Sequence, residues 1–449
     1  MKYLLCRLAA AVLACGAAAA QADTERLRTQ TRYDLEYPVM AYSASATHNR
    51  IWRMQQRLDS GELKLEWEPK FGYLRSLLKA LEIDPDSQVL VFSRTSLQIE
   101  HISPHAPRAV YFNGDTYVGY VHDSPLVEIA AIDAEKGAVF YALDNRRESA
   151  PIKVEREGGR CLTCHDTYSM MGGGVPRVMV MSAPADDPSD ARTFTAAEET
   201  DDRTPLAQRW GGWYVTGNTG TQTHFGGLPL REERGGERLR ELAGKRLNLA
   251  SVRDYVDAPT YLTDKSDVVA LLVLEHQTWL QNLITRVNYK VRTVMSREDG
   301  EGEQTTTGGG PRTWEDIKPG DRKRMELMIE PLVRALFFQE AAPLGGRIAG
   351  SSGFAERFSK LGPLDSKGRG LHQLDLDSRL MRYPLSFVIY SEQFDALPQY
   401  ALDYINARIV EILRGTDTSG IAARLTPEQR AAITQILVDT KPALGRLLK

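Results

Sequence analysis

The chain is short of cysteine. It has four in 449 residues, which excludes a small disulfide-stapled scaffold, and a chain of this length can bury a core without staples. It has no basic block, and its formal net charge is −3, so nucleic acid is not an expected partner. After the first residues it has no apolar run approaching the roughly 18 needed to span a membrane, so no transmembrane span is expected. No G-x-S-x-G elbow supports serine hydrolase chemistry. No EF-hand loop surrounds Asp375 and Asp377. His101 and His105 flank Pro104, which argues against the helix that would put both imidazoles on one face for zinc. No internal repeat is visible.

What is present begins with a leader. Lys2 and Arg7 precede an apolar stretch from Leu8 to Ala20, and Ala20-Gln21-Ala22 forms an A-x-A cleavage site before Asp23. This pattern predicts a secretory signal over residues 1–22 and a periplasmic mature protein. A lipoprotein-type signal ending at Cys15 is the alternative, and would anchor the chain by lipid. Cleavage after Ala22 removes Cys6 and Cys15. The mature chain then keeps only Cys161 and Cys164.

Those two cysteines stand in Cys161-Leu162-Thr163-Cys164-His165. In an exported protein a C-x-x-C-H run reads as a covalent attachment site for one haem c. Each thiol can add to one haem vinyl group, and the adjoining His165 is then placed beneath the iron as proximal ligand. A structural zinc site commonly takes four ligands, and the mature chain has no second cysteine pair. A thioredoxin-like C-x-x-C gives no reason for the histidine.

Along the chain, apolar spacing predicts helices near Arg50 to Leu58 and over Phe71 to Leu81. Short β-rich runs follow at Gln88–Phe92, Ala109–Phe112, Tyr117–Val121, Leu126–Ile132 and Ala138–Leu143, separated by turn residues. They predict an antiparallel meander, as a small sheet or half-barrel. A further strand is expected over Pro176 to Met181, then an exposed acidic loop from Ala183 to Asp202. The run Arg209 to Gly217 alternates tryptophans and glycines; it suits either close approach to a flat group or a tight strand pair. Helices are expected over Asp267–Val294, with one apolar stripe through Leu272, His276, Trp279, Leu283 and Val287. Others are expected near Arg322–Phe338, Asp403–Arg414 and Pro427–Thr440, with a low-complexity loop at Glu301–Pro311. The fold class expected is α+β: a β-rich region over 23–230 that carries the attachment segment, and a mainly helical region over 231–449, with a single domain as the alternative.

The runs RTSLQ, PRAVYFN and YVGYV, then CLTCH, TPLAQRWGGWYVTG and HFGG, and later RLMRYPLSFVIYS resemble a family of large bacterial exported proteins with a single cytochrome-c-like C-x-x-C-H motif. The resemblance covers about Gly72 to Asp395. It implies one covalent haem in a host unlike the small carrier domains of ordinary cytochromes c, and it carries no established activity. That family's glycine-rich turn often reads T-G-x-H-G-x-x-x-H. Here His224 matches the second histidine, while Thr219 stands in place of the first.

The occupant of the second iron face decides between functions. His224, in a glycine-flanked loop, is a candidate distal ligand; Met181 and Met179, alternating to one face of a strand, are the alternatives. Met170 and Met171 are too close in sequence to His165 to wrap the macrocycle. His276, on an apolar stripe, reads more readily as a core histidine. Arg177, Arg209 and Trp210 are possible partners for haem propionates. A filled face predicts an electron-transferring monohaem c-type cytochrome whose partner is another periplasmic redox protein. An open face predicts a haem enzyme of peroxidase or substrate-oxidising type acting on a small molecule, with His224 as a distal acid-base residue. A haem-based sensor is a third reading, although the chain carries no appended signalling domain.

Overall fold

A computed structural model describes residues 35–93, 96, 98–146, 151–166, 174–183, 197–227, 248–298, 314 and 317–449. The leader, Met170, Met171 and the stretches 184–196 and 301–311 lie outside the described residues.

Six strands form one antiparallel sheet in chain order: β1 (Val89–Val91), β2 (Arg108–Phe112), β3 (Thr116–Tyr120), β4 (Leu126–Asp133), β5 (Gly137–Asp144) and β6 (Val154–Glu157). Sequential hairpins need only short turns, and the polar residues supply them. Asn113 Oδ1 accepts from the backbone N–H groups of Asp115 and Thr116, closing the β2–β3 turn. Asp133 does the same for Glu135 and Lys136 before Gly137. Gly137 has φ +72°, and a Cβ there would lie 2.4 Å from Thr285, so only glycine fits. The expected meander is present, and β6 extends it by one strand. Its sequence, Val-Glu-Arg-Glu, carries too few apolar residues to be recognised from pattern alone.

Both faces of the sheet are covered. Leu90, Tyr111, Val118, Ile129 and Tyr141 face a cluster built with helices α1 (Arg50–Asp59) and α2 (Leu74–Ala80). Val89, Phe112, Tyr117 and Phe140 face the opposite cluster, shared with the C-terminal helices. The short helix α3 (Gly159–His165) follows β6 directly. A second, two-stranded sheet pairs β7 (Val180–Ser182) with β8 (Glu198–Thr200), Met181 opposite Glu199. The strand expected from Pro176 is therefore confined to its end.

Helix α4 (Val268–Glu298) lies against the main sheet, and α5 (Pro319–Leu336), α6 (Phe354–Phe358), α7 (Glu392–Asp395), α8 (Gln399–Arg414), α9 (Pro427–Thr440) and α10 (Pro442–Leu448) follow. The protein is α+β, with an antiparallel sheet in front and helices behind. Helix α4 differs from the single stripe expected. It is buried almost all round, with Val268–Leu274 wholly inside, because sheet and C-terminal helices cover it from two sides. Its polar residues are consumed by the fold. Gln281 and Gln277 hold the β2–β3 turn through the carbonyls of Gly114 and Asn113, at 2.8 Å each. Among the described residues no helix is long and apolar enough to cross a membrane.

Asn282 positions the strand approaching β7. Its Oδ1 accepts from Val178 N at 3.1 Å, and its Nδ2 donates to Val178 O at 2.7 Å. Asn282→Ala strands both backbone groups, so chemical denaturation should show a loss of about 2–3 kcal/mol. A change within about 0.5 kcal/mol would show that this pairing does not hold the strand.

Candidate haem-attachment site

The attachment segment is a helical turn. On a helix, residues three and four apart share a face, so Cys161, Cys164 and His165 of α3 line up on one side. Thr163 lies off that face, its hydroxyl spent on Gly159 O at 2.9 Å. Neither cysteine is in a disulfide: Cys161 is half-buried and Cys164 exposed. Burial pushes the Cys161 thiol up to about 11, and Glu128 and Glu157 push it the same way.

His165 is anchored at two points. Its Nδ1 lies 2.8 Å from the carbonyl oxygen of Arg177, and its own carbonyl accepts from Arg177 N at 3.0 Å. A carbonyl only accepts, so Nδ1 carries the proton and Nε2 presents a lone pair. The ring packs on Phe140 at 4.6 Å between centroids, tilted by 45°. The residue as a whole is half-buried. Burial, with the cations Arg108 and Arg177 acting in the same direction, holds its basicity down to about 4. The imidazole is neutral at physiological pH, the state a metal requires.

Beside α3, strand alternation puts Arg108, Val110, Gly119, Glu128, Ala130 and Ala142 on the face of the sheet that α4 covers elsewhere. Val110, Ala130 and Ala142 are only partly buried there. Two free thiols and a neutral imidazole on one helical face are the donor set that a covalently held haem requires, so the residues present fit that group.

The propionate candidates separate. Arg209 is committed: it pairs with Glu275 at 2.8 Å and donates to the carbonyls of Thr204 and Asp202. Trp210 is fully buried at φ +69° with its ring edge-on to His224. Arg177 is 2% exposed and pairs through Nη1 with Glu199. Burial raises the Glu199 carboxyl despite that partner. The run Arg209–Gly217 is no strand pair. Trp213 bridges Val91 at the edge of β1, and its Nε1 donates to Met181 O at 2.7 Å.

The histidines and methionines divide as follows. His224 is 1% exposed, against Trp210 at 5.3 Å, and its Nδ1 accepts from Gly226 N at 3.1 Å. None of these contacts joins it to α3. Met179 and Met181 are half-buried; only Met181 lies in β7, and Met179 lies in the segment leading into it from Arg177. His48, His101 and His105 are exposed and His122 half-buried. His276 is a core residue whose Nδ1 meets Asp202 at 2.7 Å and whose Nε2 meets Ser386 Oγ at 2.8 Å. That order imitates an acyl-transfer triad, but Ser386 and His276 are 0% exposed and Phe338 stacks on the imidazole at 4.4 Å. With the serine hydroxyl and the imidazole both fully buried, it is a structural tie.

No protein family, curated protein or solved structure matches this chain. Among the described residues, no three His, Cys, Asp or Glu side chains converge as a metal-ligand set. Sequence reasoning named the attachment residues and Arg177 but passed over Arg108 and Glu128. The signal was available: Arg108 alternates with Val110 and Phe112 in β2, so a charge was directed at an apolar face.

His372 supplies a titration test away from this site. It lies among Phe358, Phe387 and Tyr390, and burial lowers it from 6.5 to about 4. The unfolded chain binds its proton first, so this residue's stability contribution is lost as pH falls from 6.5 toward 4. His372→Phe should remove about 1–2 kcal/mol of the acid destabilisation in that window, the partial exposure reducing the full linkage. Superimposable stability–pH curves would show that the ring is not buried as a neutral base.

Proposed function

We propose that the protein is a periplasmic monohaem c-type cytochrome that exchanges electrons with another exported redox protein. The observation that carries this reading is the hydrogen bond from His165 Nδ1 to Arg177 O, beside two unpaired thiols on the same helical face. It leaves a neutral imidazole with Nε2 available, as a proximal iron ligand needs. Each thiol would add its sulfur and hydrogen across one vinyl double bond, forming a thioether with no leaving group. Bound there, the haem supplies a one-electron iron couple. Cys164 is exposed, which favours a cofactor edge near the surface, where a protein partner can approach. The leader and the family resemblance support the periplasmic placement.

The second reading is a haem enzyme with an open distal face. It is favoured by the position of His224, a buried imidazole packed on Trp210 that could serve as an acid-base group.

Protein matured with a c-type assembly system should carry one haem through two thioethers by pyridine haemochrome spectroscopy. Cys161→Ala should reduce covalent haem at least tenfold or leave a single thioether. Wild-type protein without covalent haem would end this reading. A low-spin ferrous spectrum unaffected by carbon monoxide is expected of the electron carrier; ready binding of carbon monoxide would replace it with the enzyme. His224→Ala and Met181→Ala then distinguish the candidate ligands by the loss of the low-spin spectrum.

A further inference from the structure

Arg177 is an unusual residue for this position. It is 2% exposed, and only its Nη1 has a described side-chain partner, Glu199. Among the described residues, its Nε and Nη2 are buried without hydrogen-bond partners. A buried donor left unmade costs about 1–3 kcal/mol, and the penalty is larger on a charged group, so two on one guanidinium point to an acceptor. The same residue's carbonyl holds His165, so the unmet donors belong to the residue that orients the proximal imidazole. Arg108 repeats the pattern. Its Nη1 reaches Glu128 at 3.2 Å, while its Nε is buried without a partner. Both guanidinium charges are felt by the His165 ring.

Two cations with unmet buried donors act on one imidazole, and a haem carries two carboxylates. A planar guanidinium suits a carboxylate, which accepts two parallel N–H bonds from one fork. We propose that Arg177, with Arg108 as the second cation, receives the propionate carboxylates of the haem attached at Cys161 and Cys164. The assignment rests on the haem reading above and adds to it the residues that fix the macrocycle's rotation and its potential. A cation held beside the propionates, out of water, favours the ferrous state, which bears one less positive charge.

The test uses full-length, haem-loaded protein: wild type, Arg177→Gln, Arg177→Lys and Arg108→Gln. Spectroelectrochemistry reads the midpoint potential, and resonance Raman reads the propionate-bending band. Arg177→Gln should lower the potential and shift the band. Arg177→Lys should restore much of the potential but not the band, because a point charge replaces the fork. Arg108→Gln should give a smaller shift of the same sign. Arg177→Lys carries the decision if the glutamine variant does not fold. Full haem content with an unchanged band and potential in the Arg177 variants overturns the assignment while leaving the haem in place. Wild-type protein without covalent haem overturns both, and haemochrome spectroscopy tells the two failures apart.

Discussion

The structure depends on a buried helix whose buried amides, carboxylate and histidine are tied to other parts of the fold. Helix α4 could be a plain apolar strut, yet it carries Glu275, His276, Gln277, Gln281, Asn282 and Thr285 inside the protein. Buried polar groups are tolerated only when paired. Here the pairing ties three parts together: glutamines to the β2–β3 turn, Asn282 to the strand entering β7, and Glu275 to Arg209 and Thr200. Apolar burial alone would let these parts slide. Directional bonds set their register, and the site inherits it.

That register reaches His165 through few intermediates. Asn282 grips Val178, the residue after Arg177, and Arg177 grips His165 by backbone in both directions. The ring's orientation is therefore set by a rigid helix rather than by the short α3, whose own cap makes no side-chain bond. A seven-residue helix is marginal by itself, so the cysteines need this external support to keep their common face.

Legibility followed the length of each pattern. The helix over Pro427–Thr440 was readable as a segment, and its start is held by a capping box of Thr426 and Gln429 around a proline. The meander was readable from its alternation and its Asn-Gly-Asp and Glu-Lys-Gly turns. β6 was not, because Val-Glu-Arg-Glu looks like a loop until β5 pairs with it. The chemistry of the C-x-x-C-H run is local and was visible at once. The anchoring carbonyl of Arg177 was not, since backbone acceptors leave no trace in residue identity. The tie from His276 to Asp202 and Ser386 joins segments far apart in sequence, and spacing rules have no reach over such distances.

The surroundings of Cys161 bear on how readily its sulfur reacts. Thiolates, not thiols, attack disulfides, and a thiol held at about 11 exposes roughly one thiolate in ten thousand at neutral pH. Burial first, with Glu128 and Glu157 acting in the same direction, thereby makes the Cys161 sulfur a slow nucleophile. Of the two sulfurs on this helical face, the exposed Cys164 is the one a reagent in solution meets first.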